Sequence, residues 1–210
     1  DTIAPRNFID PLLMTLHSSP QIAAVQPKIM FHEYPDRIWN AGGIYYPYNA
    51  ATKTIGYNKL DAKKYNESRY VDWITGCCIL LKSEIITEVG LLNEHFFAYY
   101  EDVDWSLRIR KLGYRLAYNP TLPILHKVGA SSKNKNKTDE GFLSPFVHFL
   151  NIRNHIFMAR LHIKGIHVIN AHIYLLLKII IYGVYFMLKG RRKKLNMSFK
   201  GYLEGYSTQL

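Results

Sequence analysis

The residues best suited to catalysis lie in one short stretch of the chain. Glu101 and Asp102 form a pair of carboxylates at the predicted start of a helix, directly after the aromatic run Phe-Phe-Ala-Tyr-Tyr at 96–100. His126 stands alone after a strand-like Leu-Pro-Ile-Leu sequence. Carboxylates can act as general bases, and carboxylates with an imidazole can hold a divalent metal. The stretch therefore predicts a base-assisted or metal-assisted site, with an aromatic surface on which a sugar could stack.

Several motifs follow one another between residues 71 and 132. They include Trp-Ile-Thr-Gly-Cys at 73–77, the aromatic run with Glu-Asp at 96–102, and His-Lys-Val-Gly-Ala-Ser at 126–131. In this order the motifs resemble the acceptor half of family 2 glycosyltransferases, which are inverting enzymes with a GT-A fold. The segment looks most like their rhamnosyltransferase-like branch, which builds bacterial cell-surface polysaccharides. The resemblance implies a nucleotide-sugar donor and a glycan or lipid-linked acceptor.

The resemblance implies that Asp102 is the general base. In the family, the Asp of this Glu-Asp pair takes the proton from the acceptor hydroxyl as that oxygen attacks the anomeric carbon. A carboxylate is a sufficient base when the proton leaves late, because the hydroxyl becomes more acidic in the transition state. Glu101 is then expected to orient or bind the acceptor. The residues alone leave an alternative open, since acids at a helix start most commonly stabilise the helix dipole.

Trp73, Thr75 and Gly76 resemble the acceptor-side turn of the family and are expected to bind the acceptor. A glycine at position 76 would let backbone amides approach a sugar closely. The alternative is a simple kink in a strand, with Trp73 in the core. The sequence leaves both interpretations open.

The resemblance also implies a divalent metal, Mg²⁺ or Mn²⁺, with Asp1 and His126 as ligands. In the family, a short acidic motif ends in an Asp that binds the metal on the donor diphosphate, and Asp1 matches that last residue. The family has a His at the position of His126 that reaches the metal or the diphosphate, and imidazole suits Mn²⁺ better than Mg²⁺. The alternatives are that Asp1 caps a helix near Pro5 and that His126 is structural.

Short elements must position these groups, and their pattern predicts an α/β fold with a mixed sheet flanked by helices. Predicted helices cover 8–17, 83–90 and 101–112, and predicted strands cover 22–25, 71–81, 114–118 and 123–126. The Tyr, Asn, Gly and Pro content of 31–66 predicts a long irregular loop. By the resemblance, residues 1–140 form the acceptor and metal half of a GT-A domain, and residues 141–210 form a helical, membrane-associating tail.

Composition and charge narrow the class of protein. The chain is 48% hydrophobic and 20% charged, which is typical of a folded protein. Residues 1–140 hold 17 Lys and Arg against 15 Asp and Glu, a net charge of +2, whereas residues 141–210 hold 10 against Glu204 alone, a net charge of +9. This asymmetry is typical of a protein that attaches to a membrane surface. No nucleic-acid partner is expected, because the basic residues flank an apolar run and do not alternate with base-stacking aromatics.

The apolar run at 168–188 contains one charged residue, Lys178, and is followed by Lys-Gly-Arg-Arg-Lys-Lys at 189–194. A helix of this length could span a bilayer of about 30 Å. Lys178 would cost about 2.5–3.5 kcal/mol at the centre of such a span, and a helix in the interface avoids this cost if the lysine snorkels. We expect a cytoplasmic protein held peripherally at the inner face of the cell membrane. A true span and a buried packing helix are the alternatives.

Two functional hypotheses remain, from different classes. The first is an inverting, metal-assisted glycosyltransferase, of which this chain would be a fragment, inactive alone, that lacks the nucleotide-binding half of the family. The second is a non-catalytic carbohydrate-binding or scaffold module that keeps only the acceptor cleft. An acidic motif upstream of Asp1 would favour the enzyme.

Overall fold

The computed structural model describes residues 2–127, 133–138 and 140–210. The helices are α1 (Ile9–His17), α2 (Ser83–Val89), α3 (Glu101–Lys111), α4 (Pro145–His162), α5 (His167–Leu188) and α6 (Arg192–Ser207). The strands are β1 (Thr2–Ile3), β2 (Ile22–Phe31), β3 (Arg37–Asn40), β4 (Gly43–Tyr46), β5 (Ala51–Thr54), β6 (Lys59–Leu60), β7 (Arg69–Val71), β8 (Leu80–Leu81), β9 (Arg115–His126), β10 (Lys133–Thr138) and β11 (Gly141–Leu143).

The chain forms two compact units that exchange segments along the sequence. The first unit contains the described residues of 1–45, 52–92 and 102–128, and the second contains those of 46–51, 93–101 and 129–210. One of the positions at which the chain passes from one unit to the other lies between Glu101 and Asp102, within the first turn of α3.

A mixed sheet forms the centre of the first unit. Within the described residues it has seven strands, in the order β1-β9-β2-β3-β6, with β7 also paired to β9 and β8 to β2. The central pair, β2 and β9, is parallel, and the other strand pairs are antiparallel. The predicted α/β class with a mixed sheet and flanking helices is therefore confirmed, and the architecture is consistent with a GT-A-like fold.

Apolar side chains cover both faces of the central strands. Against one face, around Val25 of β2, pack Leu12 and Leu16 of α1. Against the other face pack Trp105 and Ile109 of α3. Because both faces are covered, every residue of β2 from 22 to 30 is buried.

The strands extend further than the sequence predicts. The strand predicted to end before Pro27 continues to Phe31, and the register with β9 shifts between Pro27 and Ile29. Proline has no amide hydrogen for the ladder, so the irregularity accommodates it. The pieces predicted at 114–118 and 123–126 are one strand, β9, and the predicted loop at 31–66 contains β3 to β6. Between 71 and 81, only the ends are strands.

The second unit is built on α4, α5 and α6. Two glycines of α6 allow a close approach to α4, because a Cβ added at Gly201 would lie 2.4 Å from the Phe149 carbonyl oxygen, and one at Gly205 would lie 2.8 Å from Ile156. Arg153 of α4 also pairs with Glu204 of α6 at 3.1 Å. Close backbone contact and an ion pair thus join these two helices.

Helix α5 has two different faces. Its buried residues, Ala171, Leu175, Ile179, Gly183 and Phe186, face the unit. Lys178 also turns inward, and its Nζ lies 2.9 Å from Nδ1 of His155 on α4. The opposite face exposes a row of large apolar side chains, which includes Ile169, Ile173, Leu176, Leu177, Ile180, Ile181, Val184 and Leu188. Among the described residues, α5 is the one helix long and apolar enough to cross a membrane by length and composition.

Candidate active site

Asp102 lies in the first turn of α3, where its carboxylate accepts two backbone hydrogen bonds. Oδ2 accepts from the amide of Gly76 at 2.9 Å, and Oδ1 accepts from the amide of Val103 at 2.8 Å. The Thr75 side chain also contributes a hydrogen bond. Each carboxylate oxygen has two lone pairs, so the group keeps acceptor capacity for another proton donor. The residue is half-buried, so that proton donor could come from outside the protein.

The turn next to Asp102 is held by three side chains that capture three consecutive amides. The amide of Ile74 donates to Oγ of Ser106 at 3.2 Å, and that of Thr75 donates to Oε1 of Gln26 at 2.9 Å. The Gly76 amide donates to Asp102, as described above.

Gln26 and Ser106 are both buried, and Nε2 of Gln26 also donates to Asn40 at 3.0 Å. Buried polar groups with satisfied hydrogen bonds fix a single geometry. The turn that carries the predicted acceptor residues is therefore rigidly fixed to β2 and α3.

Burial raises the pKa of Asp102 above that of an ordinary carboxyl group. The hydrogen bonds from Gly76, Val103 and Thr75 oppose this effect, because they stabilise the charged form. The outcome is a carboxylate that is a stronger base than a fully solvated one, held at a fixed position on a helix.

Trp73 is buried, and its indole occupies the space next to Gly43. A Cβ at position 43 would lie 1.9 Å from the ring, so only glycine fits there. The ring nitrogen donates to the carbonyl of Ile44 at 3.2 Å. Trp73 therefore has a packing role on β4, and acceptor binding by this residue stays a prediction. Thr75 is also buried, whereas Gly76 is exposed.

In the second unit, the residues that precede Glu101 adopt an unusual backbone conformation. Phe97, Tyr99 and Tyr100 all have positive φ angles, of 61°, 66° and 73°. Such angles cost free energy in residues with a side chain and persist only when the surroundings impose them. Glu101 itself is half-buried.

Two adjacent residues of α4 supply those surroundings. Nδ2 of Asn154 donates to the carbonyls of Phe96, Ala98 and Tyr99 at 2.9, 2.7 and 2.7 Å. Arg153 donates to the carbonyls of residues 95 and 96 at 3.0 and 3.1 Å. These five contacts hold the loop that leads into Glu101.

His126 ends β9 in the first unit. Its ring packs edge-on against Trp39, with 4.2 Å between the ring centroids. Its Nδ1 is buried and has no hydrogen-bond partner among the described residues. Burial lowers the pKa of His126, which favours the neutral imidazole, the form that binds metals.

Of the two predicted metal ligands, His126 lies within the described residues. Asp1 lies outside the described residues, as do 128–132 of the predicted His126 motif. Within the described part of the chain, no group of three His, Cys, Asp or Glu side chains could hold a metal ion. His126, whose Nδ1 has no partner among the described residues, is chemically suited to supply one ligand to such a site.

The structure brings Asp102, Thr75 and Gly76 together, and the ring of His126 packs beside Trp39. Among the residues that the structure describes, no hydrogen bond or ring contact joins Asp102 to His126. Sequence reasoning missed Gln26, Ser106, Arg153 and Asn154. A polar residue inside an apolar strand is the one signal that could have indicated Gln26.

Comparison with known proteins indicates glycosyltransferases. No protein-family model matches the chain. It is 32% identical over 84 residues to the N-acetylglucosaminyl-diphospho-decaprenol L-rhamnosyltransferase of Mycobacterium tuberculosis. The matched segment covers 40% of the chain and 26% of that protein. Over 76 residues it is 34% identical to the rhamnosyltransferase WbbL of Escherichia coli, covering 34% of the chain and 28% of that protein.

A longer match extends over most of the chain. The low-salt glycan biosynthesis hexosyltransferase Agl10 of Haloferax volcanii is 24% identical over 149 residues, which is 68% of the chain and 43% of that protein. The chain thus spans less than half the length of these three relatives. All three are named for the transfer of a sugar, so the chain is similar to glycosyltransferases in general.

Proposed function

We propose that the chain is part of a glycosyltransferase that moves a sugar from a nucleotide-sugar donor to a glycan or lipid-linked acceptor with inversion. The observation that carries this proposal is the Asp102 carboxylate, which is fixed by two backbone amides and made more basic by burial. The partial similarity to three proteins named for sugar transfer supports it. One of them is named for an acceptor that is a lipid-linked diphosphate sugar.

In the proposed reaction, Asp102 accepts the proton of the acceptor hydroxyl while that oxygen bonds to the anomeric carbon. The bond from the anomeric carbon to the donor diphosphate breaks, and the nucleoside diphosphate leaves on the opposite face. A single displacement of this kind inverts the anomeric centre. The hydrogen bonds from Gly76 and Val103 hold the carboxylate still, so little reorganisation is needed as the proton moves.

The same turn orders the proposed acceptor site. Thr75 and Gly76 both form hydrogen bonds to the Asp102 carboxylate. Glu101 directly precedes Asp102 in the chain. A bound acceptor sugar would lie against Gly76, where the absence of a side chain leaves the backbone accessible.

We also propose a divalent metal, Mg²⁺ or Mn²⁺, with His126 as a protein ligand and Asp1 as a second by resemblance. When bound, the metal would neutralise the charge of the departing diphosphate. Phosphate oxygens and water would complete its coordination, as is usual for these ions. His126 would serve this role as a neutral imidazole, steadied by the ring of Trp39.

Radiolabelled donor screening tests the activity. Full-length protein is incubated with a panel of nucleotide sugars and with membrane lipid extract as acceptor, and released nucleoside diphosphate is measured. The expected result is donor-dependent release that requires acceptor and falls by about 10²–10⁴ in the Asp102→Asn variant. If wild type and the Asp102→Asn variant bind saccharides with the same affinity and neither turns over any donor, the chain is a binding module and not a transferase.

We propose that α5 attaches the protein to the inner face of the cytoplasmic membrane. The row of exposed apolar side chains has the composition of a lipid-facing surface. Lys178 does not reach this surface, because it turns towards His155. The attachment therefore does not depend on snorkelling by Lys178, which differs from the sequence-based expectation. Cell fractionation tests the proposal: release by carbonate supports surface attachment, release by detergent alone indicates a span, and recovery in the soluble fraction refutes both.

A further inference from the structure

A cavity of about 660 Å³ opens in the second unit. Strand β11, helix α4, the last turns of α5 and the start of α6 surround it. Its lining residues are Gly141, Phe142, Leu143, His148, Ile181, Tyr182, Tyr185, Phe186, Arg191 and Lys194. The lining is mostly apolar and aromatic, with two cations at one end.

The two cations converge on one position. A Cβ added at Gly141 would lie 3.3 Å from a terminal nitrogen of Arg191 and 3.6 Å from Nζ of Lys194. Only 3% of Lys194 is exposed, and its Nζ makes no hydrogen bond to any residue in the described part of the chain. This ammonium group is not among the buried nitrogen and oxygen atoms that lack a partner, so it reaches solvent at the cavity. It can therefore pair with an anion that enters from outside the protein.

One carboxylate lies near the pair and does not neutralise it. Glu140 accepts hydrogen bonds from the backbone amides of Lys193 and Lys194, at 3.0 and 3.1 Å, and so caps the start of α6. Among the described residues it supplies one negative charge against the two positive side chains of Arg191 and Lys194. The exposed side chains of Lys189, Arg192 and Lys193 add further positive charge.

His148 adds a neutral donor to the same cavity. Its Nε2 is buried and has no hydrogen-bond partner among the described residues. Its ring packs against Phe186 with 5.0 Å between centroids. Burial and the nearby charges of Lys194 and Arg191 lower the pKa of His148 to about 4, so the ring is neutral at physiological pH and can donate one N–H.

The rest of the cavity continues into the exposed face of α5. Ile181 and Tyr185 line the cavity and are also exposed, as are Phe142 and Leu143 of β11. A ligand with a charged head and an apolar tail would therefore place its head at Arg191 and Lys194 and its tail along α5.

We propose that this cavity binds the phosphate head group of one anionic bilayer phospholipid, with Arg191, Lys194 and His148 as its polar contacts. The acyl chains lie along Phe142, Ile181 and Tyr185. The proposal rests on the membrane attachment proposed for α5 and adds a defined lipid site to it. It makes attachment selective for anionic lipid, beyond the general attraction of a basic cluster.

Vesicle co-sedimentation of the full-length protein tests this site. The vesicles contain either phosphatidylcholine alone or phosphatidylcholine with phosphatidylglycerol. The site variant is Arg191→Gln with Lys194→Met, and the matched control is Arg192→Gln with Lys193→Gln, which removes two exposed charges from the same cluster. Non-specific attraction predicts about a 30-fold loss for any two basic residues near the surface.

We expect the control pair to lose about that much affinity for the anionic vesicles and the site pair to lose at least tenfold more. The single variants Arg191→Gln and Arg192→Gln repeat the comparison in case loss of the buried lysine disturbs folding. Equal losses in site and control variants would overturn the lipid site and leave membrane attachment standing. No binding of wild-type protein to either vesicle would overturn the attachment itself, and sugar transfer is measured separately.

The source of the phosphate is decided in the same assay. Inorganic phosphate and soluble farnesyl diphosphate are added as competitors at up to millimolar concentration. Neither competitor is expected to displace the protein from anionic vesicles, provided that its concentration is too low to weaken binding by ionic strength alone. Displacement by farnesyl diphosphate that is lost in the site pair and kept in the control pair would reassign the cavity to a soluble diphosphate and overturn the phospholipid proposal.

Discussion

The replacement Asp102→Asn should separate the chemical role of this residue from its structural role. The side chain keeps its shape but gains an NH₂ group in place of one oxygen. Because the amides of Gly76 and Val103 both point at the carboxylate, one of them must then face another donor. The substitution is therefore not silent for the fold, even though it is nearly isosteric.

The expected loss of stability and the expected loss of turnover in Asp102→Asn differ in size. Loss of one hydrogen bond to a charged acceptor costs about 1.5–3 kcal/mol of stability, offset in part because a charge is no longer buried. At about 2–4 °C per kcal/mol for a protein of this size, the melting temperature should fall by less than about 12 °C. Loss of the base should reduce turnover by about 10²–10⁴, which corresponds to about 2.7–5.5 kcal/mol in the barrier.

The assay compares initial rates of nucleoside diphosphate release in the full-length protein, with melting temperature measured on the same samples. Donor affinity should change little, because the base contacts the acceptor. The matched control is Asp72→Asn. Asp72 also accepts a backbone amide, that of Tyr45, at 2.9 Å, and it pairs with Arg110 at 3.0 Å. The control should show a similar loss of stability with turnover within about threefold of wild type.

Two results would refute this reasoning. Turnover near the wild-type value in folded Asp102→Asn would exclude the base role. An equal loss of turnover in Asp72→Asn would show that the effect follows general stability and not proton transfer.

Other predictions follow from the remaining contacts. Asn154→Leu removes three hydrogen bonds to the loop before Glu101 and should lower turnover about 10- to 100-fold without changing donor affinity. Asn151→Leu should not lower turnover, because among the described residues its amide donates only within its own helix, to the carbonyl of Val147 at 2.9 Å. Equal effects of the two variants would argue against a positioning role for Asn154. His126→Ala should weaken Mn²⁺ binding, measured as metal quenching of tryptophan fluorescence, and unchanged quenching would exclude it as a ligand. Burial lowers the pKa of His155 to about 3. Between about pH 6.5 and 3 the imidazole is therefore protonated in the unfolded chain but not in the folded protein, which favours unfolding. The stability that neutral His155 contributes is complete above pH 6.5 and is lost as the pH falls through this range. The denaturation midpoint of His155→Gln should therefore change less between pH 7 and pH 4.5 than that of wild type, and identical changes would contradict the assignment.

The local sequence pattern was sufficient to predict the helices α3 and α5. Glu101 at the start of a helix and the glycine that follows its end predicted α3 to within a residue, because helix boundaries depend on neighbours in the sequence. The long apolar run likewise predicted α5, which spans 22 residues. In contrast, Pro27 suggested a strand end that the sheet overrides, since pairing with a parallel neighbour outweighs one missing amide.

The sequence by itself determined which residues could do chemistry, the α/β class, the helix start that carries Asp102 and the basic, apolar character of the tail. Only the tertiary structure decided that Gln26, Ser106 and Asp102 capture three successive amides, that Asn154 holds a loop more than fifty residues earlier, and that Lys178 turns inward. These contacts join residues far apart in the chain. Their partners are chosen by packing, and no local periodicity records that choice.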